Sequence, residues 1–287
     1  MKTLLLLILA LPPLAQAQST LMSPMFHILS GAKQLRGTDQ FSVKVSQETS
    51  PERLRNGNTR VTVEGETYRR ARELVRSVLT AVTQDDRVRD QNQIAMGTGF
   101  HVGGNLVLTN RHVLSPNQVN WTRCGDLVFK TYDGKSMKCE RVVYCEPNPG
   151  CSANTTGCSR TPDFCLIAVH GKLSNYPSLP LSSAKLMAST SDAYATIGNS
   201  GGFGLHFSES RGMRPVNEWK VGVNTQAFHG NSGGPLINEA NEVVGVLYQR
   251  NHSIETFAVG MDWMLRRLEQ VLGQDHPAWK TISGLVR

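Results

Sequence analysis

Three short segments hold the residue types that an acyl-transfer reaction needs. A serine hydroxyl is a poor nucleophile at neutral pH, so one that attacks a carbonyl needs a neighbouring base. The base needs a third group to fix its tautomer, and the developing oxyanion needs backbone N–H donors. Thr98-Gly99-Phe100-His101-Val102, followed by Val107-Leu108-Thr109-Asn110-Arg111-His112-Val113, sets His112 just beyond an apolar strand, rigidly enough for a general base. Thr161-Pro162-Asp163 leads into the apolar run Phe164-Cys165-Leu166-Ile167-Ala168-Val169, so a carboxylate opens a strand at the edge of the core. Phe228-His229-Gly230-Asn231-Ser232-Gly233-Gly234-Pro235-Leu236-Ile237 frames Ser232 with glycines ahead of another strand. That arrangement suits an exposed hydroxyl on a tight turn with N–H groups beside it. Taken singly, His112 reads as a structural histidine and Asp163 as a turn residue or cap. Together they supply base, orienting carboxylate and nucleophile.

The strings T-N-x-H-V, P-D-F and G-N-S-G-G-P-L, in this order, resemble the trypsin-like superfamily of chymotrypsin-fold serine proteases, particularly its bacterial members. The resemblance spans roughly residues 94–272. It implies an all-β fold of two six-stranded antiparallel β-barrels with the site in the cleft between them. It implies His112, Asp163 and Ser232 as catalytic residues, and the N–H groups of Gly230 and Ser232 as the oxyanion hole. The implied activity is that of an endopeptidase acting on proteins or peptides, with no metal and no cofactor. Gly198-Asn199-Ser200-Gly201-Gly202 repeats part of the serine string, which makes Ser200 a rival nucleophile. Ser200 leads into Phe203-Gly204-Leu205 and lacks the Pro-Leu strand that follows Ser232, so Ser232 is preferred.

Departures from the animal digestive members bear on activation and specificity. Asn231 stands where those enzymes carry the Asp that pairs with a newly cut N-terminus, so activation by such an ion pair is not expected. Gln226 falls at the expected base of the primary specificity pocket, with Tyr248 and Gln249 near its wall. Without an Asp at the base, strong preference for Arg or Lys is not expected, and Gln249 narrows the pocket. His101, His206 and His229 are read as structural. A non-catalytic binding or adhesion protein of the same fold does not require all three catalytic residues. A serine esterase is disfavoured by the β-rich pattern and by the missing G-x-S-x-G elbow.

The elements that must position these residues follow from the rest of the chain. Short apolar runs broken by Gly, Asn and Asp begin at Met96, as a barrel or sandwich requires. The first barrel is expected over about 91–175, the second over about 190–260, and a C-terminal helix over 261–272 with a tail at 273–287. Tyr68, Ala71, Leu74, Val75, Val78, Leu79 and Val82 recur at helical spacing, predicting an amphipathic helix over 66–83. That helix lies in an N-terminal extension, 18–90, whose length raises a propeptide role.

Lys2, the apolar run Leu4 to Leu11 and Ala15-Gln16-Ala17 read as a signal peptide cleaved after Ala17. Export to the periplasm or the exterior is the expectation. No later run reaches the ~18 apolar residues of a spanning helix, so no stable membrane anchor is expected. All six cysteines (Cys124, Cys139, Cys145, Cys151, Cys158 and Cys165) fall in one segment, and an even count in an exported chain points to disulfides. Zinc is disfavoured because no C-x-x-C pair exists. The pairing stays open, with Cys151–Cys158 one option. A net charge of +7 without Lys/Arg runs beside aromatics gives no support for nucleic-acid binding. With 39% hydrophobic and 18% charged residues, the composition also excludes a disordered or membrane-spanning chain. The sequons at Asn120, Asn154 and Asn251 are discounted on the bacterial character of the motifs.

Overall fold

The computed structural model describes residues 41–44, 66–83, 97–114, 127–147, 161–199, 205–224, 227, 229–250 and 255–287. The first barrel closes through β2 (Val78–Thr83), β3 (Gly97–His101), β4 (Leu106–Thr109), β7 (Cys165–His170), β6 (Ser136–Cys145) and β5 (Leu127–Lys130), in that ring order. Every pairing in it is antiparallel. Strands β4 and β7 read as nearly unbroken apolar runs because both faces are covered. Along β7, Cys165, Ile167 and Val169 point into the barrel, while Leu166 and Ala168 join the layer outside it. Along β4, Val107 points inward and Leu106 and Leu108 outward.

The second barrel closes through β8 (Ser189–Asn199), β9 (Leu205–Pro215), β10 (Lys220–Val223), β13 (Thr256–Gly260), β12 (Val243–Arg250) and β11 (Pro235–Ile237), with β11 returning to β8. Tyr194, Met213, Val221, Val223, Leu236, Val244, Leu247 and Ala258 fill it. A short strand β1 (Phe41–Lys44) adds to β9 in parallel, from Phe41 opposite Leu205 to Lys44 opposite Ser208. The sequence pattern of the extension did not foretell it.

A single apolar layer joins the barrels to the helices. It combines Phe100, Leu108, Phe164 and Leu166 of the first barrel side with Ile197, Phe207, Ile237, Tyr248 and Val259 of the second. The C-terminal helix α3 (Met261–Leu272) contributes Met264, Leu265 and Leu268 and keeps the predicted bounds. The tail is ordered: helix α4 (Pro277–Ser283) buries Ala278 and Ile282, and the last residues exchange backbone bonds with Leu181 and Ser183.

The helix expected over 66–83 is corrected. Helix α1 (Glu66–Leu74) ends in a 3₁₀ turn at Val75–Ser77, and Val78–Thr83 is the opening strand of the first barrel. The first barrel therefore begins upstream of residue 91. In this segment the apolar positions satisfy periods of 3.6 and of 2 at once. Leu79 and Ala81 fill the barrel while Val78 faces the shared layer, and ladder bonds to β3 and β5 decide the outcome. Helix α1 is anchored to the second barrel as well. The Arg70 guanidinium donates to Glu209 Oε1 at 2.8 Å, to Asn241 Oδ1 at 2.7 Å and to the Asn238 carbonyl at 2.5 Å.

Candidate active site

His112 sits in a one-turn helix, α2 (Arg111–Leu114), separated from the end of β4 by the single residue Asn110. Its Nδ1–H donates to Asp163 Oδ2 at 2.6 Å. The other carboxylate oxygen, Oδ1, accepts the N–H of Arg111 at 2.8 Å and that of His112 at 3.3 Å. Asn110, fully buried, donates its side-chain amide to the Asp163 carbonyl at 2.6 Å. Asp163 is thus gripped by three consecutive residues that lead into and through α2. Phe164 beside it is fully buried and packs edge-on against Trp263 of α3 at 6.2 Å. Burying that ring contributes about 2 kcal/mol to the folded state.

Burial opposes ionisation of both partners, and their mutual attraction outweighs it. Desolvation pushes the His112 pKa down, but the charge and hydrogen bond of Asp163 raise it above the ordinary imidazole value. Desolvation pushes Asp163 up, and His112 with Arg111 brings it below the usual carboxylate range. About a third of the His112 side chain, 36%, stays open to solvent, so the ring is seated on one side and accessible on the other.

Ser232 lies on a turn framed by two glycines with positive φ, Gly230 at +94° and Gly233 at +86°. A Cβ on Gly233 would collide with the Thr98 carbonyl oxygen, so only glycine fits there. Three successive carbonyls of the turn are tied inward. The Gly230 oxygen accepts from Thr98 Oγ1 at 2.6 Å, the Asn231 oxygen from the Gly234 N–H at 2.9 Å, and the Ser232 oxygen from the Thr98 N–H at 2.8 Å. Among the described residues, no hydrogen bond within the chain uses the N–H of Gly230 or of Ser232. Two of these ties cross from the second barrel to β3 of the first. They bring the Ser232 turn to the strand ends that carry His112. At Gly97 the meeting is close: a Cβ there would lie 2.5 Å from Val113 Cγ2 and 3.1 Å from the Ser232 carbonyl oxygen.

The expected pocket residues fare differently. Gln226 and the rival Ser200 lie outside the described residues, as does the side chain of Gln249. Tyr248 is buried in the layer between the barrels, its ring tilted at 47° against that of Trp219 and its centroid 5.6 Å from the Lys220 ammonium. Its hydroxyl, pushed to a higher pKa by burial and by the Asp163 charge, has no hydrogen-bond partner. The ring of Tyr248 lies in the core within reach of the Asp163 charge. His101 is buried, with Nδ1 3.1 Å from the Tyr176 carbonyl and Nε2 3.0 Å from that of Gly104.

Sequence reasoning passed over two contributors and left the pairing of the expected disulfides open. Thr98 was part of a quoted string but had no role there, because its partners are remote in the chain. Arg111 is buried and donates to the Glu146 carbonyl at 2.5 Å, while Glu146 Oε2 accepts from Tyr144 Oη at 2.5 Å and Arg267 Nε at 2.9 Å. The disulfide Cys145–Cys165 joins the end of β6 to the start of β7, two residues from Asp163. Cys139 is also disulfide-bonded, while Cys124, Cys151 and Cys158 lie outside the described residues.

Two antiparallel barrels meeting at a glycine-framed serine turn and a histidine–aspartate pair define the chymotrypsin-fold class of serine proteases. The chain belongs to the trypsin-like peptidase domain family, whose profile matches residues 97–246, just over half of its length. Similar solved structures share the fold. The Rv3671c protease of Mycobacterium tuberculosis H37Rv, in an inactive form, has a TM-score of 0.50 at 20% identity, covering 70% of this chain and 91% of its own. An inactive serine-to-alanine mutant of the same protein gives 0.51 at 18%, with 71% and 91% covered. The serine endoprotease of Yersinia pestis gives 0.53 at 16%, with 75% and 69% covered. Among curated proteins, no sequence matches.

Proposed function

We propose that this protein is an exported serine endopeptidase. Ser232 attacks a peptide carbonyl while His112 takes its proton and later delivers it to the leaving amine. Asp163 holds the imidazole with its proton on Nδ1, so that Nε2 presents a lone pair, and it stabilises the imidazolium as it forms. The Gly230 and Ser232 N–H groups receive the oxyanion, and water then releases the acyl-enzyme. The observation that carries this reading is the Asp163 carboxylate. One of its oxygens bonds the His112 ring and the other bonds the backbone of α2, which leaves the imidazole one orientation. The Ser232 turn, with its carbonyls tied inward, supports the oxyanion role of the two N–H groups. Export rests on the signal-like first residues and on the Cys145–Cys165 disulfide, a bond typical of oxidising compartments.

The experiment is fluorophosphonate labelling of the purified protein with peptide mapping of the modified serine, alongside casein digestion. Label on Ser232, lost in His112→Ala, is expected, and Ser232→Ala is expected to lower turnover by several orders of magnitude. Near-wild-type turnover in Ser232→Ala, or label on Ser200, overturns the assignment.

A further inference from the structure

Thr98 is fully buried and every polar group it owns is committed. Its N–H donates to the Ser232 carbonyl at 2.8 Å, and its own carbonyl accepts Thr109 Oγ1 at 2.7 Å. Its hydroxyl donates to the Gly230 carbonyl at 2.6 Å and accepts the Asn199 N–H at 2.9 Å. One β3 residue of the first barrel thereby reaches two separate pieces of the second, the end of β8 and the turn that carries Ser232.

We infer that the Thr98 hydroxyl is a positioning residue that sets the oxyanion-binding geometry of the Gly230–Ser232 turn; this rests on the protease reading above. The physical argument starts from Gly230. With φ at +94° and no side chain, it is the point in the turn where a peptide plane rotates most cheaply. Its carbonyl belongs to the Gly230–Asn231 peptide, and the Thr98 hydroxyl is what fixes that plane. The N–H of Ser232 belongs to the next peptide, whose Asn231 carbonyl is closed back on Gly234. If the Gly230 plane turns, both N–H groups that receive the oxyanion lose their convergence.

The hydroxyl also links both pieces of the second barrel at this spot, donating to Gly230 and accepting from the Asn199 N–H. Gly198, the residue before, has no room for a Cβ beside the Asn231 backbone and side chain, so β8 and the turn are already in contact there. Thr98 supplies the polar link that makes this contact directional.

The test is a graded series at one position, Thr98→Ser, Thr98→Cys and Thr98→Val, read by kcat and KM on a peptide substrate, by inhibition with a peptide boronate, and by thermal melting. Serine keeps the hydroxyl, cysteine substitutes a weak donor, and valine keeps the shape without any donor or acceptor. Removing an oxyanion donor outright costs about 100- to 1,000-fold in kcat, so displacing the donors is expected to cost about 10- to 100-fold in Thr98→Val. KM should change little, boronate affinity should fall in parallel with kcat, and Thr98→Ser should restore both. Wild-type kcat in Thr98→Val overturns the inference. So does wild-type kcat in Thr98→Cys, which keeps the test decisive if the valine protein does not fold. Equal losses in kcat and stability with boronate affinity unchanged also overturn it, since a merely structural residue behaves so. Wild-type protein that takes no fluorophosphonate label at Ser232 refutes the protease reading itself, whereas a labelled wild type with an unaffected valine variant refutes only the role of Thr98.

Discussion

Asp163→Asn puts the geometry of the site under the sharpest strain with the smallest change in shape. In the native site, Oδ1 accepts two backbone N–H groups, from Arg111 and His112, and Oδ2 accepts the ring N–H of His112 at 2.6 Å. An asparagine has one oxygen and one NH₂ group to offer. The oxygen must face the two backbone donors, because an NH₂ there would meet them donor to donor. The NH₂ then faces Nδ1 and donates to it, so the imidazole proton moves to Nε2. The nitrogen that should take the Ser232 proton then already carries one. The expected loss is about 10,000-fold in kcat at neutral pH, the order known for this change in Ser-His-Asp enzymes. A second readout follows from the electrostatics. Asp163 is what raises the His112 pKa, while burial and Arg111 both lower it. In the native enzyme, activity should be lost as pH falls through a value above the ordinary imidazole pKa of about 6.5. In Asp163→Asn the residual activity should hold to lower pH, because only the lowering influences remain. The assay is kcat/KM against pH on a chromogenic peptide, with circular dichroism to show both proteins folded. A folded Asn variant within tenfold of wild type, or an acid limb that does not move, refutes the reasoning.

Gly233→Ala is expected to destabilise by about 3 kcal/mol and to abolish activity, since positive φ and collision with the Thr98 carbonyl act together. Gly134→Ala is the control: φ is +84° but nothing lies within 4 Å, so urea unfolding should show only about 1 kcal/mol, and equal losses would remove the steric part of the argument. Paired Cys145→Ser and Cys165→Ser substitution opens a link across 20 residues and should cost about 3 kcal/mol in urea unfolding. Unchanged stability would mean that β6 and β7 hold this corner of the barrel without the bond.

Much of the site was legible because its parts are local strings. His112 follows a strand end, Asp163 opens a strand, and Ser232 sits between glycines whose need for positive φ is written in their identity. What failed was whatever the sequence presents ambiguously or decides at long range. Residues 66–83 fit a helix and a strand equally well by apolar spacing, and only the requirement of a sixth strand closes the question at Val78. Every residue from Val243 to Tyr248 is apolar or glycine, so alternation gave no hint that Leu247 enters the barrel while Tyr248 turns outward beside Asp163. Strand β1 takes its register from β9, far away in sequence, and carries no strong pattern of its own. Thr98 was invisible as a functional residue for the same reason, since its hydroxyl partners are more than a hundred positions further along the chain.

The division of labour between apolar and polar contacts explains why such a residue matters. His112 and Asp163 belong to the first barrel and Ser232 to the second, so neither barrel alone holds all three residues of the proposed triad. The layer that joins them is built from Phe100, Leu108 and Phe164 against Ile197, Ile237 and Tyr248. Apolar burial of that kind is strong but non-directional, and it tolerates small slides of one surface on another. Hydrogen bonds are weaker in net free energy but weaken steeply when misaligned. The layer therefore fastens the barrels, and on the proposed reading the Thr98 bonds hold their register beside the turn that carries Ser232. A substitution in the layer, such as Ile237→Val, should lower stability by about 1 kcal/mol with kcat nearly unchanged. Loss of the Thr98 hydroxyl should lower kcat far more than a layer substitution of equal stability cost, and that contrast separates fastening from registration.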